Sequence, residues 1–246
     1  MKRALIVIDV QNEYVDGNLP ICHPDLMTSI PNIEVAMDAA ADHGAALVIV
    51  QHIEDEGAPV FARGSRGAAL HESVADRTPD HLVTKADVSA FRGTDLEEWL
   101  RAGGYDTVTI AGFMTQHCCA GTARDAHALG FTVEFLSDAT GTLDLVNAAG
   151  SISADALHIS VLVTMDSEFA AVATTEEWTL AVEAGDTLPV SNLWDSTGHA
   201  RVPGKHSELH KLMRDVRAGI DRDIAAEESH ELRNTLYVGQ GASTSL

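Results

Sequence analysis

Three side chains that could act together in catalysis follow predicted β-strands at widely separated places in the chain. Asp9 ends the first apolar run, Lys85 follows a short strand at 81–84, and Cys118 comes soon after a strand at 106–111. A carboxylate, an ammonium group and a thiol are the components of an activated cysteine nucleophile. Each also has an ordinary interpretation: Asp9 as a turn cap, Lys85 as a solvated lysine, Cys118 as buried packing. The combination, more than any single residue, predicts nucleophilic catalysis.

The elements that would position these side chains alternate between strands and helices. Continuous apolar runs at 3–10, 45–51 and 106–111 are typical of strands buried on both faces of a parallel sheet. Further strands are predicted at 81–84, 132–136 and 169–173, and helices at 33–43, 95–102, 118–129, 147–165 and 175–184. This alternation predicts an α/β fold, a three-layer α/β/α sandwich with a six-stranded, mostly parallel sheet. Ligands of such sheets bind beyond the carboxyl ends of the strands, where the three side chains are expected.

Charge and apolar spacing divide the chain into a body and a C-terminal extension. Residues 1–185 contain 28 acidic and nine basic residues, whereas 186–246 contain nine and seven. The extension repeats apolar residues at three- and four-residue steps: Leu209, Leu212, Met213, Val216, Ile220 and Ile224. We therefore predict one domain at 1–185 and an extension at 186–246 with one amphipathic helix, which packs on the body or on another subunit.

The overall composition argues against several classes of protein. A formal net charge of -21 repels phosphate backbones and anionic lipids, so neither nucleic acid nor a membrane is an expected partner. No apolar run is long enough to span a bilayer, and the N-terminus does not have the pattern of a signal peptide. The three cysteines are too few for a disulfide framework. These features predict a soluble, cytoplasmic protein.

Three separated motifs resemble those of the isochorismatase-like cysteine hydrolases. They are LIVIDVQNEY near the N-terminus, HLVTKADVSAF around residue 85, and TIAGFMTQHCCAGTARDAHALGFTVEFLSDA around residue 118. The similarity extends over about residues 2–184, with the motifs in the family's order. NLPI, GSRGAALH and GTDLEEWL resemble the subgroup that includes streptothricin hydrolase. The resemblance implies that Asp9, Lys85 and Cys118 form the family's catalytic triad.

The resemblance also implies a reaction, the hydrolysis of a C–N bond in a small amide, lactam or ureido compound through a thioester. Lys85 and the helix N-terminus would stabilise the thiolate of Cys118, and Asp9 would carry the proton. A cis peptide between Phe113 and Met114 is implied, with the N–H of Cys118 in the oxyanion hole. Cys119, the adjacent thiol, is expected to be packing.

Other residues are candidates for binding a small-molecule substrate. The aromatic residues Tyr14, Phe61 and Phe91 would line an apolar pocket, or alternatively belong to the core. His52 is expected to face that pocket, and the predicted substrate-binding set also includes Gln11, Thr115 and His117.

Neither a metal nor an organic cofactor is predicted. Some relatives bind zinc through closely spaced Asp and His residues after the second strand, but His52, Asp55 and His71 lack that spacing. No G-x-G-x-x-G follows the first strand, which argues against dinucleotide binding.

Two other functions remain open from the sequence. One is vinyl-ether hydrolysis of the isochorismatase type, although those relatives lack the nucleophilic cysteine that Cys118 would supply. The other is a non-catalytic assembly module that keeps the fold and recruits partners through the extension. Because the family commonly forms homo-oligomers, the resemblance implies a dimer or a larger assembly.

Overall fold

The computed structural model of the protein describes residues 1–202. Its main strands are β1 (Arg3–Ile8), β2 (Ala46–His52), β3 (His81–Lys85), β4 (Thr107–Phe113), β5 (Thr132–Gly141) and β8 (Ala171–Ala173), and two short strands are β6 (Leu145–Asn147) and β7 (Gly150–Ile152). The helices are α1 (Leu26–His43), α2 (Glu72–Ala75), α3 (Leu96–Ala102), α4 (Ala120–Ala128), α5 (Ala154–Thr164), α6 (Thr175–Ala184) and α7 (Leu193–Ser196). Single turns of 3₁₀ helix lie at Asn12–Tyr14 and Gly198–Arg201, and π-helical turns lie at Thr115–Cys119 and Met165–Phe169.

The six main strands form one sheet in the order β3-β2-β1-β4-β5-β8. All neighbouring pairs in this sheet are parallel. The prediction of a six-stranded, mostly parallel sheet with flanking helices is therefore confirmed. Strand order reverses between β1 and β4, and the carboxyl ends of these strands mark the position where such folds bind ligands.

Both faces of the sheet are buried, which explains the continuous apolar runs. Along β1, Ala4, Ile6 and Ile8 pack into one core cluster and Leu5 and Val7 into the other. Helices α3 and α4 contribute to the first cluster, and α1 and α6 contribute to the second. A strand that is covered on both sides has no polar face, so its sequence does not alternate.

The predicted starts of two helices were wrong by seven residues each. Helix α1 begins at Leu26 rather than at residue 33, because the carboxylate of Asp25 caps it by accepting a hydrogen bond from the N–H of Met27 at 2.7 Å. The predicted helix at 147–165 begins only at Ala154. The segment before it forms the antiparallel β6–β7 hairpin, in which the side chain of Asn147 accepts a bond from the Ala149 N–H at 2.8 Å.

A buried ion pair lies near the amino ends of β1 and β5. It is therefore at the opposite edge of the sheet from the carboxyl ends of these strands. Arg3 Nη2 lies 2.9 Å from Glu134 Oε1, and the two side chains are 6% and 2% exposed. Thr109 Oγ1 and Trp178 Nε1 donate to Glu134 Oε2 at 2.7 and 2.8 Å. These donors satisfy a carboxylate that would otherwise be costly to bury.

Replacing Glu134 with Gln is expected to lower the free energy of unfolding by about 3 kcal/mol, because Arg3 would keep a buried charge without a counter-ion. Urea denaturation measures this change. The matched control is Glu97→Gln, which breaks an exposed pair with Arg101 at 2.8 Å and should cost less than about 0.5 kcal/mol. Equal small losses in the two variants would contradict the prediction.

The chain divides into a compact unit at Met1–Leu193 and a second unit that begins at Trp194. The predicted domain limits of 1–185 and 186–246 stay a prediction. The predicted amphipathic helix through residues 209–224 lies outside the described residues. Within residues 1–202, the helices are too short or too polar for any of them to cross a bilayer.

Candidate active site

The three side chains singled out from the sequence meet at the carboxyl edge of the sheet. Asp9 directly follows β1, Lys85 is the last residue of β3, and Cys118 lies in the π-helical turn after β4. Lys85 Nζ is 2.8 Å from Asp9 Oδ2 and 3.3 Å from Cys118 Sγ. All three residues are buried, with exposed fractions of 0%, 3% and 7% in chain order. The ammonium group thus bridges a carboxylate and a thiol inside the protein.

The backbone around β1 and β4 has unusual conformations that bring the site together. Asp9 has a φ of 53°, a left-handed conformation that Asp tolerates better than most residues, while its N–H donates to the Val50 carbonyl at 2.9 Å. Gly112 has a φ of 110°, and a Cβ atom there would lie 2.0 Å from the carbonyl oxygen of Ile8. Only glycine therefore allows β4 to approach β1 this closely.

Cys118 lies on a wider helical turn than the α-helix start that the sequence predicted. In the turn Thr115–Cys119, the N–H groups of both His117 and Cys119 donate to the carbonyl of Met114, at 3.1 and 3.2 Å. The peptide bond between Phe113 and Met114 is cis, the conformation that the resemblance implied. The N–H groups of His117 and Cys119 already donate hydrogen bonds, so the N–H of Cys118 between them is the candidate oxyanion donor of this turn.

The charges at the site favour a protonated thiol in the resting protein. Burial raises the pKa of Cys118, Asp9 raises it further, and Lys85 opposes them only in part, so the pKa rises to about 12. Burial by itself would lower the pKa of Lys85, but Asp9 and Cys118 outweigh burial and raise it. Lys85 favours the thiolate, as the sequence predicted, but desolvation and the buried carboxylate of Asp9 oppose a second negative charge at this site.

The raised pKa predicts how Cys118 reacts with iodoacetamide. Only the thiolate is alkylated, so the rate at Cys118 should rise about tenfold for each pH unit between about pH 7 and 10 without levelling off. Peptide mass spectrometry measures the alkylation rate at each cysteine. The exposed Cys22 is the internal control, because its alkylation shows that the reagent is active in the same sample. A plateau for Cys118 below about pH 8 would show a resting thiolate and contradict this prediction.

His52, at the end of β2, contacts the triad rather than only facing a pocket. Its Nδ1 lies 3.0 Å from Lys85 Nζ, and its Nε2 lies 2.7 Å from Glu54 Oε1. Glu54 was not among the residues selected from the sequence. The signal that could have found it is a carboxylate two residues beyond a strand-terminal histidine.

Aromatic rings form a wall beside the triad. The ring centre of Tyr14 is 5.1 Å from that of Phe61 and 5.8 Å from that of Phe113. The Tyr14 hydroxyl makes no hydrogen bond within residues 1–202, and its pKa is raised by burial and by the charges of Asp9 and Cys118. The role of Tyr14 in substrate binding stays a prediction.

The remaining predicted substrate-binding residues have different environments. Phe91 stacks on Phe131, with ring centres 6.0 Å apart, and does not join the aromatic wall. The amide of Gln11 is occupied by backbone groups, since its Nε2 donates to the carbonyls of His52 and Ala68 at 2.8 and 2.6 Å. Gln11 therefore holds the loop after β2 instead of facing a ligand.

Thr115 and His117 also differ in what they contact. His158 Nε2 lies 2.9 Å from the Ser137 carbonyl, so this nitrogen carries a proton, and Nδ1 accepts a 3.0 Å bond from the Thr115 hydroxyl. Burial lowers the pKa of His158, which favours the neutral ring. Thr115 thus anchors the π-helical turn that contains Cys118, whereas His117 is exposed.

One group of side chains in residues 1–202 has the spacing of metal ligands, but a cation already lies within it. Asp9, His52 and Cys118 offer ligand atoms within 4.8 Å of one another. Lys85 Nζ lies within 3.3 Å of all three side chains and occupies the place where an ion would sit. This donor set fits an ammonium group better than a metal. Asp55 and His71, the other candidate ligands, do not belong to the group.

Known proteins resemble this chain in sequence and in fold. Residues 3–177 match the model of the isochorismatase domain. A solved structure of a candidate isochorismatase from Burkholderia xenovorans LB400 is 51% identical with a TM-score of 0.80, and the match covers 81% of this chain and 96% of that one.

Two curated relatives are named for hydrolytic reactions. Streptothricin hydrolase from Streptomyces noursei is 33% identical over 61% of this chain and 53% of the relative, so the match spans about half of that protein. Maleamate amidohydrolase from Pseudomonas putida KT2440 is 30% identical over 57% of this chain and 72% of the relative. The predicted resemblance, including the likeness to streptothricin hydrolase, is confirmed. The chain therefore belongs to the isochorismatase family, a hydrolase family whose members include amidohydrolases.

Proposed function

We propose that this protein is a cysteine amidohydrolase that cleaves a C–N bond of a small amide, lactam or ureido compound. The observation that carries the proposal is the position of Lys85 Nζ, 2.8 Å from the Asp9 carboxylate and 3.3 Å from the Cys118 sulfur. Two of the relatives, streptothricin hydrolase and maleamate amidohydrolase, support hydrolysis as the reaction type. The thiol supports covalent catalysis.

The first half of the reaction forms a thioester. As the sulfur of Cys118 attacks the carbonyl carbon, its proton passes to Asp9, neither of whose carboxylate oxygens accepts a hydrogen bond within residues 1–202. The carbonyl oxygen becomes an oxyanion, stabilised by the N–H of Cys118. Asp9 then donates the proton to the substrate nitrogen, the C–N bond breaks, and the amine leaves. In the second half, water loses a proton to Asp9, attacks the thioester, and releases the acid and the thiol.

Lys85 makes the first proton transfer feasible inside the protein. Before the transfer the site holds a carboxylate, an ammonium group and a neutral thiol. After it the site holds a carboxylic acid, an ammonium group and a thiolate, so the net charge is unchanged. Loss of the thiol proton to solvent would instead leave two buried anions against one cation, which desolvation penalises. The raised pKa of Cys118 is therefore compatible with its role as nucleophile.

A screen of small amides, lactams and ureido acids tests the proposal. Released ammonia or amine is detected for open-chain compounds, and mass spectrometry detects the added water in opened lactams. The expected result is turnover that depends on Cys118. Turnover of vinyl ethers alone, or amide turnover that persists without the thiol, would refute the amidohydrolase assignment.

We also propose a homo-oligomer, which the exposed side of α5 supports. Ile159 and Val163 are four residues apart on this helix and are 60% and 65% exposed. Apolar side chains at this spacing share one helix face, and a contiguous exposed apolar face is typical of an interface. Light scattering is expected to give at least twice the chain mass of 26.2 kDa, and the double variant Ile159→Glu, Val163→Glu should shift it to one chain. A single-chain mass for the unmodified protein would contradict this prediction.

A further inference from the structure

The ammonium group of Lys85 has more acceptors around it than it has protons. Its Nζ lies 2.8 Å from Asp9 Oδ2, 3.0 Å from His52 Nδ1, 3.1 Å from the Asp87 carbonyl oxygen and 3.3 Å from Cys118 Sγ. A lysine ammonium donates three hydrogen bonds. The three hydrogen bonds go to His52, the Asp87 carbonyl and Cys118, whereas Asp9 faces the ammonium as an ion pair and accepts none of its protons.

The direction of the bond to His52 fixes the protonation of its ring. A protonated lysine can only donate, so His52 Nδ1 must accept and carries no proton. The proton of a neutral ring is then on Nε2, which donates to Glu54 Oε1 at 2.7 Å. Glu54 is held by its own backbone, since its N–H donates to the Phe61 carbonyl at 3.0 Å and its carbonyl accepts from the Arg63 N–H at 3.1 Å. The carboxylate thus selects the tautomer that can bind Lys85.

We propose that His52 and Glu54 are positioning residues that orient the Lys85 ammonium group between the base and the nucleophile. This inference rests on the proposed function only for its effect on turnover, because the orientation itself exists in the free protein. His52 and the Asp87 carbonyl hold two N–H groups away from the triad. The third N–H then points to Cys118 Sγ, and the Asp9 carboxylate lies beside it at 2.8 Å from the ammonium nitrogen.

The arrangement has a role in the reaction cycle. When the thiol proton passes to Asp9, the negative charge moves from the carboxylate to the sulfur. The third N–H of Lys85 already donates to Cys118 Sγ, so this bond strengthens as the charge reaches the sulfur while the other two bonds stay in place. The ammonium stabilises the new charge without leaving its position, so little reorganisation accompanies the attack.

The first test compares turnover in three variants. His52→Leu removes the acceptor and is expected to lower kcat about 30-fold with KM changed less than about threefold. His52→Asn places an oxygen acceptor near the Nδ1 position and should retain kcat within about threefold. The matched control is His81→Leu, because His81 pairs with Asp95 at 2.9 Å but starts β3, at the opposite end of the strand from Lys85. Its turnover should be unchanged.

The second test needs no substrate. In ¹⁵N NMR spectra of the unmodified protein, His52 should show an unprotonated Nδ1 and a protonated Nε2, and Glu54→Leu should weaken this preference whereas Glu54→Gln keeps an acceptor. A proton on Nδ1, or equal turnover in His52→Leu and His81→Leu, would overturn the inference. If the tautomer is as expected but no amide is hydrolysed, the positioning of Lys85 is supported and the proposed function fails. If turnover depends on Cys118 but not on His52, the proposed function is supported and the positioning of Lys85 by His52 is refuted.

Discussion

Replacing Cys118 with Ala is expected to abolish amide hydrolysis, with kcat falling by at least about 10³-fold. The thiol is the atom that becomes covalently bound to the substrate, and alanine leaves nothing to form the thioester. The site around it should persist, because Lys85 keeps its bonds to Asp9, His52 and the Asp87 carbonyl. Steady-state kinetics on any amide found in the screen measures the loss.

The adjacent thiol provides a matched control. Cys119 is completely buried in a core cluster, and burial raises its pKa well above the ordinary value. Cys119→Ala should therefore keep kcat within about threefold and lose about 1 kcal/mol of stability through the small cavity. Loss of turnover in Cys119→Ala with retention in Cys118→Ala would reverse the assignment of the nucleophile. Retention in both single variants would exclude thioester catalysis by either residue alone.

Replacing Asp9 with Asn is expected to lower kcat by about 10³-fold, because the amide has nearly the same shape but cannot take the thiol proton. The same change should lower the free energy of unfolding by about 3 kcal/mol, since the buried ammonium of Lys85 loses its counter-ion. Kinetics and urea denaturation on the same preparation separate the two effects.

A double variant distinguishes loss of catalysis from loss of folding. Lys85→Met alone leaves the Asp9 carboxylate buried without a cation, and it should be destabilised like Asp9→Asn. Combining Asp9→Asn with Lys85→Met removes both charges and should restore most of the stability, while turnover stays lost. If the double variant were as unstable as either single variant, the ion pair would not be the cause. If it recovered turnover, neither residue would take part in the chemistry.

Much of the fold could be predicted because its strands are covered on both faces. The segments at β1 and β2 contain the uninterrupted apolar runs ALIVI and ALVIV, and this pattern by itself indicates buried parallel strands. The errors came where local side-chain bonds decided the structure. Asp25 starts α1 earlier than its apolar period suggests, and Asn147 turns a predicted helix segment into a hairpin. Such bonds depend on side-chain geometry that periodicity does not reveal.

The residues of the candidate site could be predicted from the sequence, but the pKa values of their side chains could not. Asp9, Lys85 and Cys118 each follow a strand, and a parallel sheet brings such positions to one edge. The raised pKa of Cys118 could not be predicted, because the motifs reveal the attractive charge of Lys85 but not the burial of the site. Desolvation depends on all the atoms packed around a group, so it cannot be inferred from a sequence motif.

By itself, then, the order of apolar strands determined the α/β architecture, and the resemblance of three motifs indicated the family and the three candidate catalytic side chains. Only the tertiary structure shows that burial raises the pKa of the Cys118 thiol and that His52 links Glu54 to Lys85. The reason is physical. Which residues follow strands is a property of the local sequence, whereas pKa values and the direction of hydrogen bonds depend on distances of about 3 Å between residues far apart in the chain.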